Sequence, residues 1–430
     1  MNAEQFTEGL LNFLHASPTS FHAVRTLAMA LKQSGYQALD ESSSWSLQPQ
    51  GRYFVTRNDS SIIAFSLSSA DFSQTGFRII GAHTDSPCLK IKPHAERYEL
   101  GYLQLGVEVY GGALLHPWFD RDLSIAGRVH YLNARNQIQS CLIDFEAPIA
   151  ILPSLAIHLD REANTQGAIQ TQHHLFPVLL QQTTQQKQLQ FKTILQQQLQ
   201  KQADYDGVDI LDYELFFYDT QPPALVGLKN EFITSARLDN LLSCYIGLMS
   251  LLDSTQTLPC LLACYDHEEV GSQSYCGAHG QFLNSVLQRI CESTEKYERS
   301  LAKSWMISVD NAHATHPNYL EKHDLQHRIF LNQGPVIKFN ANQRYATNSE
   351  TSAFFRWLCA SQEIPLQSFV MRNDLACGST IGPITASQSS IKTLDVGVPQ
   401  WGMHSVRETA GQKDAYFLYQ ALQSFLTTPH

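Results

Sequence analysis

The chain has 430 residues, 43% of them hydrophobic and 16% charged, and a formal net charge of −10. That length supports two or three cores, and the composition is that of a globular protein, neither disordered nor fibrous. The acidic balance, with no run of Lys and Arg, argues against nucleic acid as a partner, because phosphate binding needs clustered cations.

The N-terminus carries Glu4 and Glu8 before its first arginine and lacks the apolar stretch of a signal peptide. No later apolar run has bilayer-spanning length, so no membrane partner is expected. Nine cysteines without a CxxC pair fit reduced thiols and a cytoplasmic location.

In chain order, residues 3–15 and 21–34 read as helices, the second introduced by Ser17, Pro18 and Thr19 and ended by Gly35. Residues 53–56 and 61–67 read as strands, and 77–82 as a buried strand that delivers His83 to its carboxyl end. From residue 93 to 232 the texture changes to short alternating stretches (102–110, 126–132, 137–145), the pattern of a β-rich insertion. Its Gln-rich part, 181–202, reads as a solvated helix or loop without chemistry. Beyond it, helices and strands alternate. Ser235 is expected to cap a helix running to Leu252, 258–265 and 305–309 to be buried strands, and 280–300 to be helical. Segments 335–339, 350–362, 366–371 and 416–427 continue the alternation. The pattern implies an α/β fold: a three-layer domain with a mixed sheet over 1–92 and 233–430, interrupted by the β-rich insertion 93–232.

Five polar clusters fall where an apolar run ends or a helix begins: His83-Thr84-Asp85, Arg237-Leu238-Asp239-Asn240, Asp266-His267-Glu268-Glu269, Asp310-Asn311-Ala312-His313 and Met403-His404-Ser405. In open α/β sheets, ligands bind beyond the carboxyl ends of strands, where such clusters converge. Asp85, two residues after His83, is placed to orient that imidazole; alone, the pair is more often a loop histidine with a turn aspartate. Adjacent Glu268 and Glu269 would repel each other unless a cation lies near. One could then bind metal while the other takes a proton from water. Asp239, Asp310 and His404 each have an ordinary alternative as a helix-start, strand-end or loop residue.

Taken together, the carboxylates of Asp239, Glu269 and Asp310 (−3) with the imidazoles of His83 and His404 suit two divalent ions (+4) and a bridging hydroxide. Nitrogen and oxygen ligation fits Zn²⁺, with Mn²⁺ or Co²⁺ as possible substitutes.

The same five motifs, in this order along nearly the whole chain, resemble those of the aspartyl aminopeptidase family, a family of dinuclear zinc peptidases. The resemblance implies one zinc on His83, Asp239 and Asp310, a second on Asp239, Glu269 and His404 with Asp239 bridging, and Glu268 as the general base toward a metal-bridged water. It extends to Gly111-Gly112, the segment from His116 to Asp122, and Leu155 to Leu159, similar to a dimerisation domain whose histidine, here His158, reaches a neighbouring subunit's active site. It implies substrate contacts from Lys338, which would select an acidic side chain, from His313, and from Gly378 and Thr380 in the run Cys377-Gly378-Ser379-Thr380. Ala376 departs from the family's frequent proline. The expected protein is a cytoplasmic homo-oligomer, a tetrahedral dodecamer built from dimers, acting on short peptides. The alternatives are an N-acyl amino acid deacylase on the same metal core, and a catalytically silent metal-binding scaffold; Lys338 opposes the first and Glu268 the second.

Overall fold

The structure is a computed structural model that describes residues 1–68, 71–182, 188–202, 205–255 and 257–429. The chain divides into two compact units, Met1–Asp85 with Pro223–Met403 and Glu408–His430, and Ser86–Pro222 with His404–Arg407. The divisions at 85/86 and 222/223 precede the expected 92/93 and 232/233. Cys88–Glu99 pairs within the sheet of the second unit, whereas Ala224–Val226 and Phe232–Ser235 pair with each other in the first.

In the first unit a nine-stranded mixed sheet has four parallel strands at its centre: Cys260–Tyr265, Arg78–His83, Trp305–Val309 and Lys392–Gly397. Ser61–Ser66 and Val336–Phe339 flank them in antiparallel pairing. The central strands read as unbroken apolar runs because both faces are covered, as parallel sheets require. Side chains alternate between two cores. Ile80, Ala82, Leu262 and Cys264 face the helices Ala3–His15, Ser20–Gln33, Leu238–Leu252, Ser349–Ser361 and Gln412–Thr427. Ile79, Leu261, Ala263 and Tyr265 face Phe282–Cys291, Thr294–Lys303 and Ile381–Ser389. The result is three layers, helices on both sides of one sheet.

Two expected helices are corrected. The helical stretch expected over 280–300 breaks at Glu292, which is left-handed (φ 61°), and restarts where the Ser293 side chain accepts a hydrogen bond from the Lys296 amide. Ser235 caps no helix. It ends the strand Phe232–Ser235, and the helix starts at Leu238 after Arg237, whose backbone is left-handed.

The second unit is a six-stranded antiparallel sheet in the order Ile138–Asp144, Leu123–Asn133, Gly207–Asp219, Cys88–Glu99, Tyr102–Tyr110 and Val178–Gln181. Leu89, Leu105, Ile125, Val129, Leu215 and Phe217 form its core. The Gln-rich segment supplies a helix, Phe191–Leu199, and residues 183–187 lie outside the described residues. That helix is not simply solvated, since Phe191, Leu195 and Leu199, one turn apart, are buried in the same core.

Candidate metal centre

The register of the parallel strands sets Tyr265 opposite His83 and Ser308 opposite Gly81, so the chain leaves the sheet at one edge through His83, Asp266 and Asp310. Asp310 sits close against the neighbouring strand, with its amide donating to Val396 O at 3.0 Å. Gly397 permits this approach: a Cβ there would lie 1.9 Å from Asp310 O. Asp239 enters from the first turn of Leu238–Leu252, where Asp239 and Asn240 have non-helical torsions.

His83 is the hub. Its Nδ1 lies 3.1 Å from the backbone oxygen of Asp85 and 3.4 Å from Asp85 Oδ1. Its Nε2 lies 3.3 Å from Asp239 Oδ1 and 3.9 Å from both Glu268 Oε2 and Asp310 Oδ1. Two ligands at ~2.0 Å on a tetrahedral zinc are about 3.3 Å apart, so the His83–Asp239 separation already suits a shared ion. The ligand atoms of His83, Asp239 and Asp310 lie within 4.8 Å of one another, as do those of His83, Glu268 and Glu269. Nitrogen and carboxylate oxygen donors of this kind fit zinc.

The surrounding hydrogen bonds hold these groups in place. Asp85 accepts from the amides of Glu268 and Glu269, both at 3.1 Å, so one buried carboxylate orients the imidazole and also pins the turn carrying both glutamates. The Asp239 amide donates to Glu408 Oε2 at 2.9 Å. Asn240 Nδ2 donates to Val309 O at 2.8 Å, Asn311 Nδ2 to Leu238 O at 2.9 Å, and the Cys244 thiol to His83 O at 3.0 Å. None of Glu408, Asn240, Asn311 or Cys244 was singled out as a site residue from sequence. Asn240 and Asn311 nevertheless lie within two of the polar clusters, and Glu408 opens the strand Glu408–Gly411 as its one charged residue.

Electrostatics follow from crowding acids in a buried place. Burial pushes the Glu268 carboxyl up to about 8, with Asp310, Asp85 and Asp239 adding to it against the opposing pull of His83. Glu269 is raised by burial and by Asp239. Burial disfavours a charged His83, but contacts with Asp239, Asp310 and Asp85 more than offset this and lift it well above the ordinary range. The cluster therefore draws positive charge to the space between its carboxylates.

Lys338 is buried at 2% exposure, its Nζ 3.1 Å from Asn311 O, 3.6 Å from Asp310 Oδ2 and 5.0 Å from the centre of the Tyr345 ring. His313 packs edge-on against Phe369 and lines a cavity with His323, His327 and Arg372. Thr380 is buried and its hydroxyl donates to Asp395 Oδ1 at 2.6 Å, while Gly378 is exposed in the preceding loop. In the second unit, His404 Nδ1 lies 3.1 Å from Gly112 O. His158 is exposed in a turn among exposed Leu155, Ile157 and Leu159.

A histidine and several carboxylates gathered beyond the carboxyl ends of a three-layer α/β sheet have the composition of a metal-dependent hydrolase site. A family model described as aminopeptidase I zinc metalloprotease (M18) matches residues 13–426. The chain belongs to the M18 family of zinc metalloaminopeptidases. It is 56% identical to the probable M18 family aminopeptidase 2 of Ectopseudomonas mendocina (strain ymp) over 426 residues, 99% of each chain. The enzyme of that name from Pseudomonas fluorescens (strain SBW25) is 54% identical over 98% of each chain. Among solved structures, a chain of the Ape4 and Nbr1 complex superposes with a TM-score of 0.95 at 39% identity, covering 99% of this chain and 86% of that one. Chaetomium thermophilum mApe1 gives a TM-score of 0.87 at 30% identity, with 99% and 98% covered. The S. cerevisiae mApe1 dodecamer gives 0.84 at 27% identity, with 99% and 97% covered. Among the described residues, no helix is long and apolar enough to cross a membrane.

Proposed function

We propose that this aminopeptidase removes N-terminal Asp or Glu from short peptides, with two zinc ions per subunit and Glu268 as its general base. His83, Asp239 and Asp310 would hold one ion; Asp239, Glu269 and His404 the other. Zinc, when bound, supplies the charge that acidifies the attacking water and polarises the scissile carbonyl. Glu268 takes the proton from that water and returns it to the leaving amine. Asp85 keeps His83 oriented and Glu268 positioned through the contacts described above. The observation that carries this reading is His83 Nε2 facing Asp239, Asp310 and Glu268 within 3.9 Å at the ends of parallel strands.

Selection of an acidic residue would come from Lys338, whose ammonium neutralises a substrate carboxylate in a site otherwise rich in acids. His313 and the loop holding Gly378 and Thr380 would border the substrate. His158 would act in a neighbouring subunit of a cytoplasmic homo-oligomer. The exposed Leu155, Ile157 and Leu159 around it suit contact with another copy, and the dodecamer formed by S. cerevisiae mApe1 supports such an assembly.

Anilides of Asp, Glu, Ala and Leu, assayed with the wild type and Lys338→Ala before and after chelation, test activity, metal dependence and selectivity together. Cleavage of the Asp and Glu substrates that falls toward the others in Lys338→Ala is the expected result. Equal wild-type rates on all four anilides end the acidic-preference claim.

A further inference from the structure

One cluster of metal-binding side chains plays no part in the chemistry above. Asp266, His267 and Cys276 offer a carboxylate oxygen, an imidazole nitrogen and a thiol sulfur within 4.8 Å of one another. Asp266 and Cys276 are buried, and His267 is partly open to solvent, so the imidazole forms the entrance. His267 Nδ1 lies 3.4 Å from Cys276 Sγ and 2.9 Å from Ser274 Oγ, and its Nε2 lies 3.6 Å from Asp266 Oδ2.

We propose that Asp266, His267 and Cys276 form a further cation site, one that takes a thiophilic divalent ion such as Zn²⁺ or Cd²⁺ and inhibits the enzyme when filled. The donor set differs from that of the main centre. It pairs a soft thiolate with nitrogen and oxygen, a combination that favours zinc and cadmium over magnesium or manganese. Distances fit as well. Zinc–sulfur and zinc–nitrogen bonds of ~2.3 and ~2.0 Å at a tetrahedral angle set the two atoms about 3.5 Å apart. His267 and Cys276 are already at 3.4 Å. An ion on Nδ1 displaces the Ser274 hydroxyl and releases the thiol proton to solvent, while Asp266 closes in as the third ligand.

The consequence for activity follows from chain connectivity. His267 has a left-handed backbone (φ 64°) and is followed at once by Glu268 and Glu269 in a short 3₁₀ turn. Drawing Asp266 and His267 toward Cys276 shifts that turn against the amides that Asp85 holds. The inhibitory half of the proposal rests on the role of Glu268 given above; the site itself does not.

The test uses full-length enzyme brought to two zinc ions per subunit, with excess zinc removed, and then titrated with cadmium, reading thiolate-to-cadmium ultraviolet absorption and anilide hydrolysis in parallel. Wild type is expected to take up one further cadmium per subunit with a thiolate band, and to lose activity in step. Cys276→Ser is expected to lose band and inhibition while its basal rate stays. His267→Gln, at a partly exposed position, is expected to keep the thiol but bind cadmium more weakly by at least the roughly 10–100-fold that loss of an outer-shell partner alone costs. A band of full strength in Cys276→Ser, or unchanged affinity in His267→Gln, overturns the site. A band without inhibition in wild type overturns the coupling. A preparation without peptidase activity would count against the proposed function, and the absorption titration would still decide whether the site exists.

Discussion

Replacing Lys338 by Met removes a buried cation while keeping most of its volume. Its Nζ is 3.6 Å from Asp310 Oδ2, and the two side chains are only 2% and 12% exposed. At an effective dielectric constant of about 20, unit charges at that distance attract by about 4–5 kcal/mol. Breaking a buried pair by removing one partner costs about 3–5 kcal/mol, because the other charge is left uncompensated. Asp395, also buried and electrostatically coupled to Lys338, loses the same neighbour. Zinc held by Asp310 as proposed would supply positive charge to that carboxylate, so the substitution should destabilise chelator-treated protein much more than zinc-loaded protein. Thermal melts of wild type and Lys338→Met, each with chelator and with zinc, provide the assay. A loss of about 3 kcal/mol corresponds to a shift of about 3–6 °C in the chelated protein, given how melting temperature scales with domain size. Equal shifts with and without zinc would refute the claim that lysine and metal act on the same carboxylates.

Glu268→Gln should lower turnover by about 10²–10⁴-fold while zinc content, read by atomic emission, stays at the wild-type level; retained activity would remove Glu268 from the base role. Gly397→Ala should cost about 1–3 kcal/mol or more in denaturant melts and weaken zinc retention, since the new Cβ meets Asp310 O. His22 is buried, and burial with Arg25 and Arg237 depresses it from 6.5 to about 3. The unfolded chain therefore takes up this proton first, and the stability His22 contributes is present above pH 6.5 and declines as pH falls toward 3. In His22→Gln, denaturation midpoints between pH 7 and pH 5 should fall less steeply than in wild type; identical slopes would contradict the assignment.

How far the sequence could be read depends on the kind of signal each element carries. The central strands were legible because burial on both faces leaves apolar runs such as Leu261 to Tyr265, and the polar residue after each run marks the sheet edge. His83, Glu268, Glu269 and Asp310 could be nominated that way and Asp239 as a polar residue at a helix start, and all are found near that edge. What sequence could not reveal depends on partners distant in the chain. The clamp of Asp85 on the amides of Glu268 and Glu269 spans more than 180 positions, and the contact of Glu408 with the Asp239 amide spans 169. Lys338 looked like a substrate lysine, yet it also holds Asp310 and the Asn311 carbonyl. The break at Glu292 was hidden because nearby residues on both sides suit a helix, and the Ser293 cap competes only locally. In the Gln-rich segment, Phe191, Leu195 and Leu199 stand at helical spacing, but the surrounding glutamines pointed to a solvated helix or loop and not to a buried face.

The most direct test of the metal centre is anomalous diffraction at the zinc edge from crystals of the zinc-loaded enzyme. The account predicts two peaks per chain about 3.5–4 Å apart, one against His83, Asp239 and Asp310 and the other against Glu269. Zinc bound elsewhere, with nothing between those side chains, would contradict it.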